Sequence, residues 1–122
     1  MNDKFHPILV AEAKKRLLEL ISERGGHLSF AELNRLEPNS LGDLWFSLFD
    51  HPNILMWDRL SQPYAQAISE LLQSSLVHAH PATELTYMLD GFVPKFPIAK
   101  SIETYREPHW FPMTLHNEPL EA

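Results

Sequence analysis

Cysteine is absent from this sequence. That excludes disulfides, thiolate metal sites and cysteine nucleophiles, and it fits a reducing compartment. No apolar stretch approaches the ~20 residues needed to cross a membrane. The opening residues, Met1-Asn2-Asp3-Lys4, begin no basic region leading into an apolar run, so no signal peptide is expected. The chain reads as soluble and cytoplasmic. Glycine-rich phosphate loops, a nucleophile elbow and a His-Glu-x-x-His pair are all missing. Asp50, His51 and Asp58 would supply an acid–base set, but no nucleophile or pocket signature accompanies them. The expectation is a protein that is not an enzyme and carries no cofactor. Cationic residues are lacking between residues 60 and 94, where Glu70, Glu84 and Asp90 leave a charge of −3.

What is present describes one ordinary domain. The chain has 122 residues, of which 44% are hydrophobic and 21% charged, a globular rather than disordered balance. A chain of this size hides roughly two-thirds of its unfolded surface and so builds a core without staples. Sixteen acidic against ten basic residues give a net charge of −6. That sign disfavours non-specific attraction to nucleic acid or anionic membrane. Seven histidines make the charge sensitive to acidification.

Hydrophobic spacing places the elements. Val10, Ala13, Leu17, Leu20, Ile21 and Arg24 recur at helical intervals, predicting a helix over residues 7–24 that Gly25 and Gly26 terminate. His27 and Leu28 read as a short strand. Ser29 and Glu32 match a capping box opening a short helix that ends before Pro38. Leu41, Leu44, Trp45, Leu48 and Phe49 share one face of a predicted third helix from Ser40. Residues 54–60 read as a strand, and Ser61 with Pro63 opens a fourth helix. Residues 76–80 and 85–89 read as two strands of a hairpin. From Phe92 onward prolines alternate with aromatics, which predicts an extended tail that wraps the domain or docks on a partner.

The order helix, strand, helix, helix, helix and hairpin, with residues 69–89 reading SELLQSSLVHAHPATELTYML, resembles a winged helix. The resemblance covers about residues 7–90 and implies an α+β fold: about four helices with a small antiparallel hairpin over residues 1–91, and the tail over 92–122. It also implies DNA binding, the commonest use of such a domain. A winged helix would grip DNA with residues 60–94, and there the sign is wrong, because affinity for duplex DNA rests heavily on cationic contacts to phosphate.

Three sets of candidate residues follow. The first serves protein–protein interaction or self-association as a homodimer: His109, Trp110 and Phe111 in a proline-flanked aromatic segment, and Phe46, which falls about 100° from the third helix's stripe. The second serves the alternative, a DNA-binding transcriptional regulator. It comprises Lys14, Lys15 and Arg16 on the first helix, Gln62, Gln66 and Gln73 on the fourth, and Lys95, Lys100 and Arg106 in the tail. The third is His78 and His80, two imidazoles on one strand face about 6.6 Å apart at ~3.3 Å per residue. Such a pair supplies two ligands to zinc or nickel, with His109, His116 or Glu84 as candidates to complete the set.

Overall fold

The computed structural model describes residues 7–120. The first helix, α1 (Pro7–Glu23), buries Val10, Ala13, Leu17, Leu20 and Ile21, the stripe that its spacing predicts. Gly25 and Gly26 follow it with φ of 83° and 99°. In that left-handed turn the Gly26 N–H donates to the Ile21 carbonyl at 2.8 Å, closing the helix. Strand β1 (His27–Ser29) leads directly into α2 (Phe30–Leu36). The capping box forms: Ser29 Oγ accepts the Glu32 N–H at 3.0 Å, and Glu32 Oε1 accepts the Ser29 N–H at 3.3 Å.

The predicted third helix does not form. A 3₁₀ turn (Pro38–Ser40) is followed by β2 (Leu44–Leu48), which pairs antiparallel with β3 (His51–Leu60). Leu-Trp-Phe-Ser-Leu suits a strand as well as a helix, because aromatic residues pack well on a pleated surface. Over so short a window the two periods are hard to separate. The turns decide. Asp50 adopts φ 64° between the two strands, and Gly42 lets the chain pass directly over the end of β3. A Cβ on Gly42 would lie 2.4 Å from the Leu60 carbonyl oxygen. Gly42→Ala is therefore expected to displace β2 from β3 and lower stability by about 1–3 kcal/mol, the usual range for overpacking, read from a urea melt.

Strand β3 matches the predicted strand and extends it. Ile54, Leu55, Met56 and Trp57 are all buried, so both faces of β3 are covered. Next comes α3 (Gln62–Gln73), as expected, with Tyr64, Ala67, Ile68 and Leu71 facing inward against α1. Burial is the main cause that pushes the Tyr64 phenol up to about 12.

The predicted hairpin is also replaced. Strand β4 (His78–Pro81) forms, but residues 85–89 lie within a helix, α4 (Glu84–Asp90), which Gly91 ends at φ 97°. As a helix it buries Tyr87 and leaves Leu85 and Leu89 exposed. The Tyr87 hydroxyl accepts the Phe30 N–H at 3.1 Å and donates to the Met113 carbonyl. The true partner of β4 comes from the segment expected to be a tail. There β5 (His109–Trp110) runs parallel to β3, and β6 (Met113–His116) lies between β1 and β4.

The fold is α+β, with two three-stranded sheets: β1-β6-β4, all antiparallel, and β2-β3-β5, mixed. One core spans both. Trp57 stacks on Phe30 at 5.9 Å and meets Tyr87 at 5.4 Å and Phe92 at 5.3 Å, while Tyr87 meets Trp110 edge-on at 5.0 Å. Trp110, Met113 and Leu115 belong to this core, so the expected boundary at residue 91 does not divide it. Among the described residues no helix is long and apolar enough to cross a membrane.

Candidate functional site

The hairpin β2–β3, helix α3 and strand β4 meet around an open cleft of about 580 Å³. Its apolar walls are Phe46, Leu48 and Phe49 from the hairpin, Met56 from β3, Leu72 from α3 and Ala79 from β4. No charged side chain lines it. The volume falls within the roughly 300–1,000 Å³ of ligand pockets, and the lining suits an apolar occupant.

The cleft borders a sheet edge whose pairing with β3 is irregular, with register shifts between Leu44 and Leu48. Strand β2 is the outer strand of its sheet, and its five residues carry no charge and no proline. Edge strands in natural proteins are usually blunted by such residues, because a bare edge is a template for pairing with another chain. Trp45 on this strand is 53% exposed and Phe49 just beyond it is 79% exposed. Trp45 rests edge-on against Phe96 at 5.3 Å, which orients its ring while leaving it open to solvent.

No family model, curated protein or solved structure matches the chain. The functional reading therefore rests on the side chains themselves.

Of the four residues expected to contact a protein, Phe46 is the one at the cleft, half-buried and 6.3 Å from the Phe30 ring. Trp110 is a correction. It is fully buried, packed against Tyr87, and out of reach of any partner. Phe111 is half-buried against the core, and its N–H donates to the Leu55 carbonyl at 2.8 Å. His109 stacks on Tyr105 at 3.9 Å, in the other part of the β2-β3-β5 sheet. The aromatic segment thus ties the end of the chain to its own domain. Trp45 and Phe49 were expected in the core of a helix, and they are instead the exposed aromatics of the edge. The signal for them lay in Gly42 and Asp50, turn residues on either side of the aromatic run at residues 44–49.

Of the residues expected to touch nucleic acid, Lys14 and Gln66 meet at Glu70, and Arg16 is held by carboxylates. Lys14 pairs with Glu70 on α3, and this bond, with one from Gln66 at 2.6 Å, lowers the Glu70 carboxyl below its ordinary range. Arg16 binds Glu37 at 3.2 Å and lies within 4 Å of Glu19 and Glu23. Gln73 bonds Ser69 at 3.3 Å, and Gln62 is half-buried at the start of α3. Lys15, Lys95, Lys100 and Arg106 are exposed, and among the described residues no ion pair or hydrogen bond links them to α3.

The histidine pair has company that its spacing did not reveal. Sheet register sets His78 opposite His116 and His80 opposite Thr114, and on the far side His27 opposite His116. The His80 and His116 rings stack at 3.7 Å, and the His27 ring lies 5.9 Å from His116. Stacked rings present faces rather than nitrogens to one another. Among the described residues no group of three histidine or acidic side chains is placed to hold a metal ion. The metal expectation for His78 and His80 is therefore withdrawn: His116 does join them, but in a stack, while His109 sits in the other sheet. Burial is the main cause that lowers the His116 imidazole to about 4, with His80 and His27 adding to it.

Proposed function

We propose that this chain is a non-catalytic, winged-helix-like interaction module, and that it binds a second copy of itself along β2 and the adjoining cleft. The observation that carries the reading is the outer strand β2, five residues without charge or proline, with Trp45 exposed on it and Phe49 exposed at the apolar cleft. The winged-helix part is supported by chain order. Helices α1, α2 and α3 with β1 precede two antiparallel strands, β4 and β6, that complete a sheet with β1. Residues 82–112 stand where a short wing loop would be.

Symmetry favours a homodimer. A twofold pair uses one self-complementary patch on both copies. If two β2 strands pair antiparallel about Phe46, Asp43 falls opposite Phe49 and Asp50 opposite Gly42, so no carboxylates face each other. The two Phe46 rings then share one face and join the two clefts. Such pairing satisfies the edge N–H and C=O groups and buries aromatic anchors together, the combination that dominates interface energetics. The DNA-binding alternative is left with Lys15, Lys95, Lys100 and Arg106 as cations outside the ion pairs described above.

Light scattering coupled to size exclusion tests the proposal. The expected mass tends to twice the 14.1 kDa of one chain as concentration rises. Trp45→Lys puts a charge on the edge of β2. Losing an aromatic anchor is worth about 2 kcal/mol and the twofold pair loses one from each copy, so association is expected to weaken by about a thousandfold with an unchanged far-UV spectrum. A wild-type protein that keeps the mass of one chain at every concentration overturns the dimer.

A further inference from the structure

We propose that the histidine face of the β1-β6-β4 sheet is a proton-operated latch: it holds the end of β6 and the residues after it against β1 and β4 while the His116 imidazole, stacked on His80, is neutral, and releases them as His116 takes up a proton.

The geometry comes from register. Directly opposed residues on neighbouring strands share a face. His27, His116 and His78 form one row across the three strands, and Ser29, Thr114 and His80 form the next. Four imidazoles from distant parts of the sequence are thereby gathered on one surface of the sheet. Its opposite surface carries Leu28, Leu115 and Ala79. The chain end is fastened at the same place. His80 Nε2 lies 2.8 Å from the Glu118 carbonyl oxygen, which accepts its N–H. His116 Nε2 bonds Thr114 Oγ1 at 2.7 Å, and the Asn117 N–H donates to the Gly26 carbonyl at 3.1 Å.

Among the described residues, Asp90 and Glu32 are carboxylates bonded beside this face, and neither pairs with an imidazole. Strand β1 contributes His27, and β4 contributes His78 and His80. After β6, Glu118 engages through its main-chain carbonyl. From α4, Asp90 accepts the Ser29 hydroxyl at 2.6 Å, and from the turn after α1 and from α2, Arg24 and Arg35 converge on Glu32. Among the described residues no carboxylate forms an ion pair with any histidine. Like charges this close disfavour each other's ionisation. Two protons on the stacked His80 and His116 rings repel at the point where the chain end is held.

The sign follows from linkage. His116 is lowered to about 4 when the latch is closed, against about 6.5 for a free imidazole. Above both values neither form binds a proton and the latch is fully stable. Between them the open form binds more, so the latch weakens as pH falls. At about pH 5 one such histidine favours opening by about thirtyfold, and the solvent exposure of the ring reduces this to about tenfold. β6 is the last strand among the described residues. This opening occurs within one chain and does not rest on the dimer.

The test is nuclear magnetic resonance of the full chain in chelator-containing buffer. Imidazole signals are followed from neutral pH to about pH 4, and amide exchange of residues 114–117 is compared with that of Ile68 and Leu71 on α3. The expected result is a His116 midpoint near 4, with opening at residues 114–117 increasing about tenfold by pH 5 beyond the intrinsic exchange rate. The α3 amides should stay unchanged. His116→Gln keeps a hydrogen-bonding side chain and should flatten that pH dependence. His80→Gln serves if the first variant fails to fold, and it should raise the His116 midpoint. A His116 midpoint near the free-imidazole value overturns the latch. So does exchange at residues 114–117 that merely tracks α3, or a pH dependence that survives the substitutions.

Discussion

Deleting residues 112–122 is expected to abolish cooperative folding. The deletion removes β6, the middle strand of its sheet, and β6 is the sole sheet partner of both β1 and β4. Their ladders vanish together. Met113 and Leu115, both buried, leave the core at a cost of about 1.5–3 kcal/mol each. The Tyr87 hydroxyl loses its acceptor, the Met113 carbonyl, and stays buried. An orphaned polar group of this kind costs about 1–3 kcal/mol. The sum is comparable to the whole stability of a typical domain, about 5–15 kcal/mol. Urea denaturation followed by far-UV circular dichroism checks this. A truncated chain that unfolds in a sharp transition near that of the full chain would contradict the central place of β6.

Trp57→Ala should come close to the same outcome with one substitution. Trp57 is fully buried on β3 and touches Phe30, Tyr87 and Phe92, which come from α2, α4 and the segment after α4. Its Nε1–H also donates to Asn34 Oδ1 at 2.7 Å. Truncating a buried aromatic to alanine costs about 3–5 kcal/mol, and here it also deprives Asn34 of its donor. Trp57→Phe retains a ring in the stack and should cost less. Trp45→Ala, on the exposed edge, should stay within about 0.5 kcal/mol in the monomer, as surface changes usually do. Urea midpoints of the three variants at low concentration give the comparison. Equal midpoints for Trp57→Ala and Trp45→Ala would show that this core is wrongly described.

α1, the Ser29–Glu32 capping box, β3 and α3 are legible in the sequence, because each is specified by residues near one another in the chain. A stripe at three- and four-residue spacing, a cap and a proline in a first turn all act locally. Residues 40–49 and 85–89 differ from their local pattern, because a short apolar run suits either period. At 85–89, Thr83, Glu84 and Gly91 favour a helix, and the strand that β4 requires arrives from residues 113–116.

The candidate site was legible only in fragments. Phe46 was singled out, yet as the odd residue of a helix rather than as a wall of a cleft. The proline-flanked Trp110 and Phe111 suit either a partner anchor or a pin onto their own domain, and the core of their own domain takes them. His78 and His80 were noticed as a pair, while His27 and His116 joined them only through the register of three strands.

The amino-acid sequence by itself determined α1, α2 and α3, the capping box, the acidic balance and the absence of thiol chemistry, since these depend on composition and on neighbours within a few residues. Only the tertiary structure decided that the chain end becomes a central strand, that β2 becomes an edge, and that four histidines share a face. Strand pairing joins residues that no local pattern connects, and a strand's hydrogen-bonding groups are satisfied by whichever partner the whole core brings alongside.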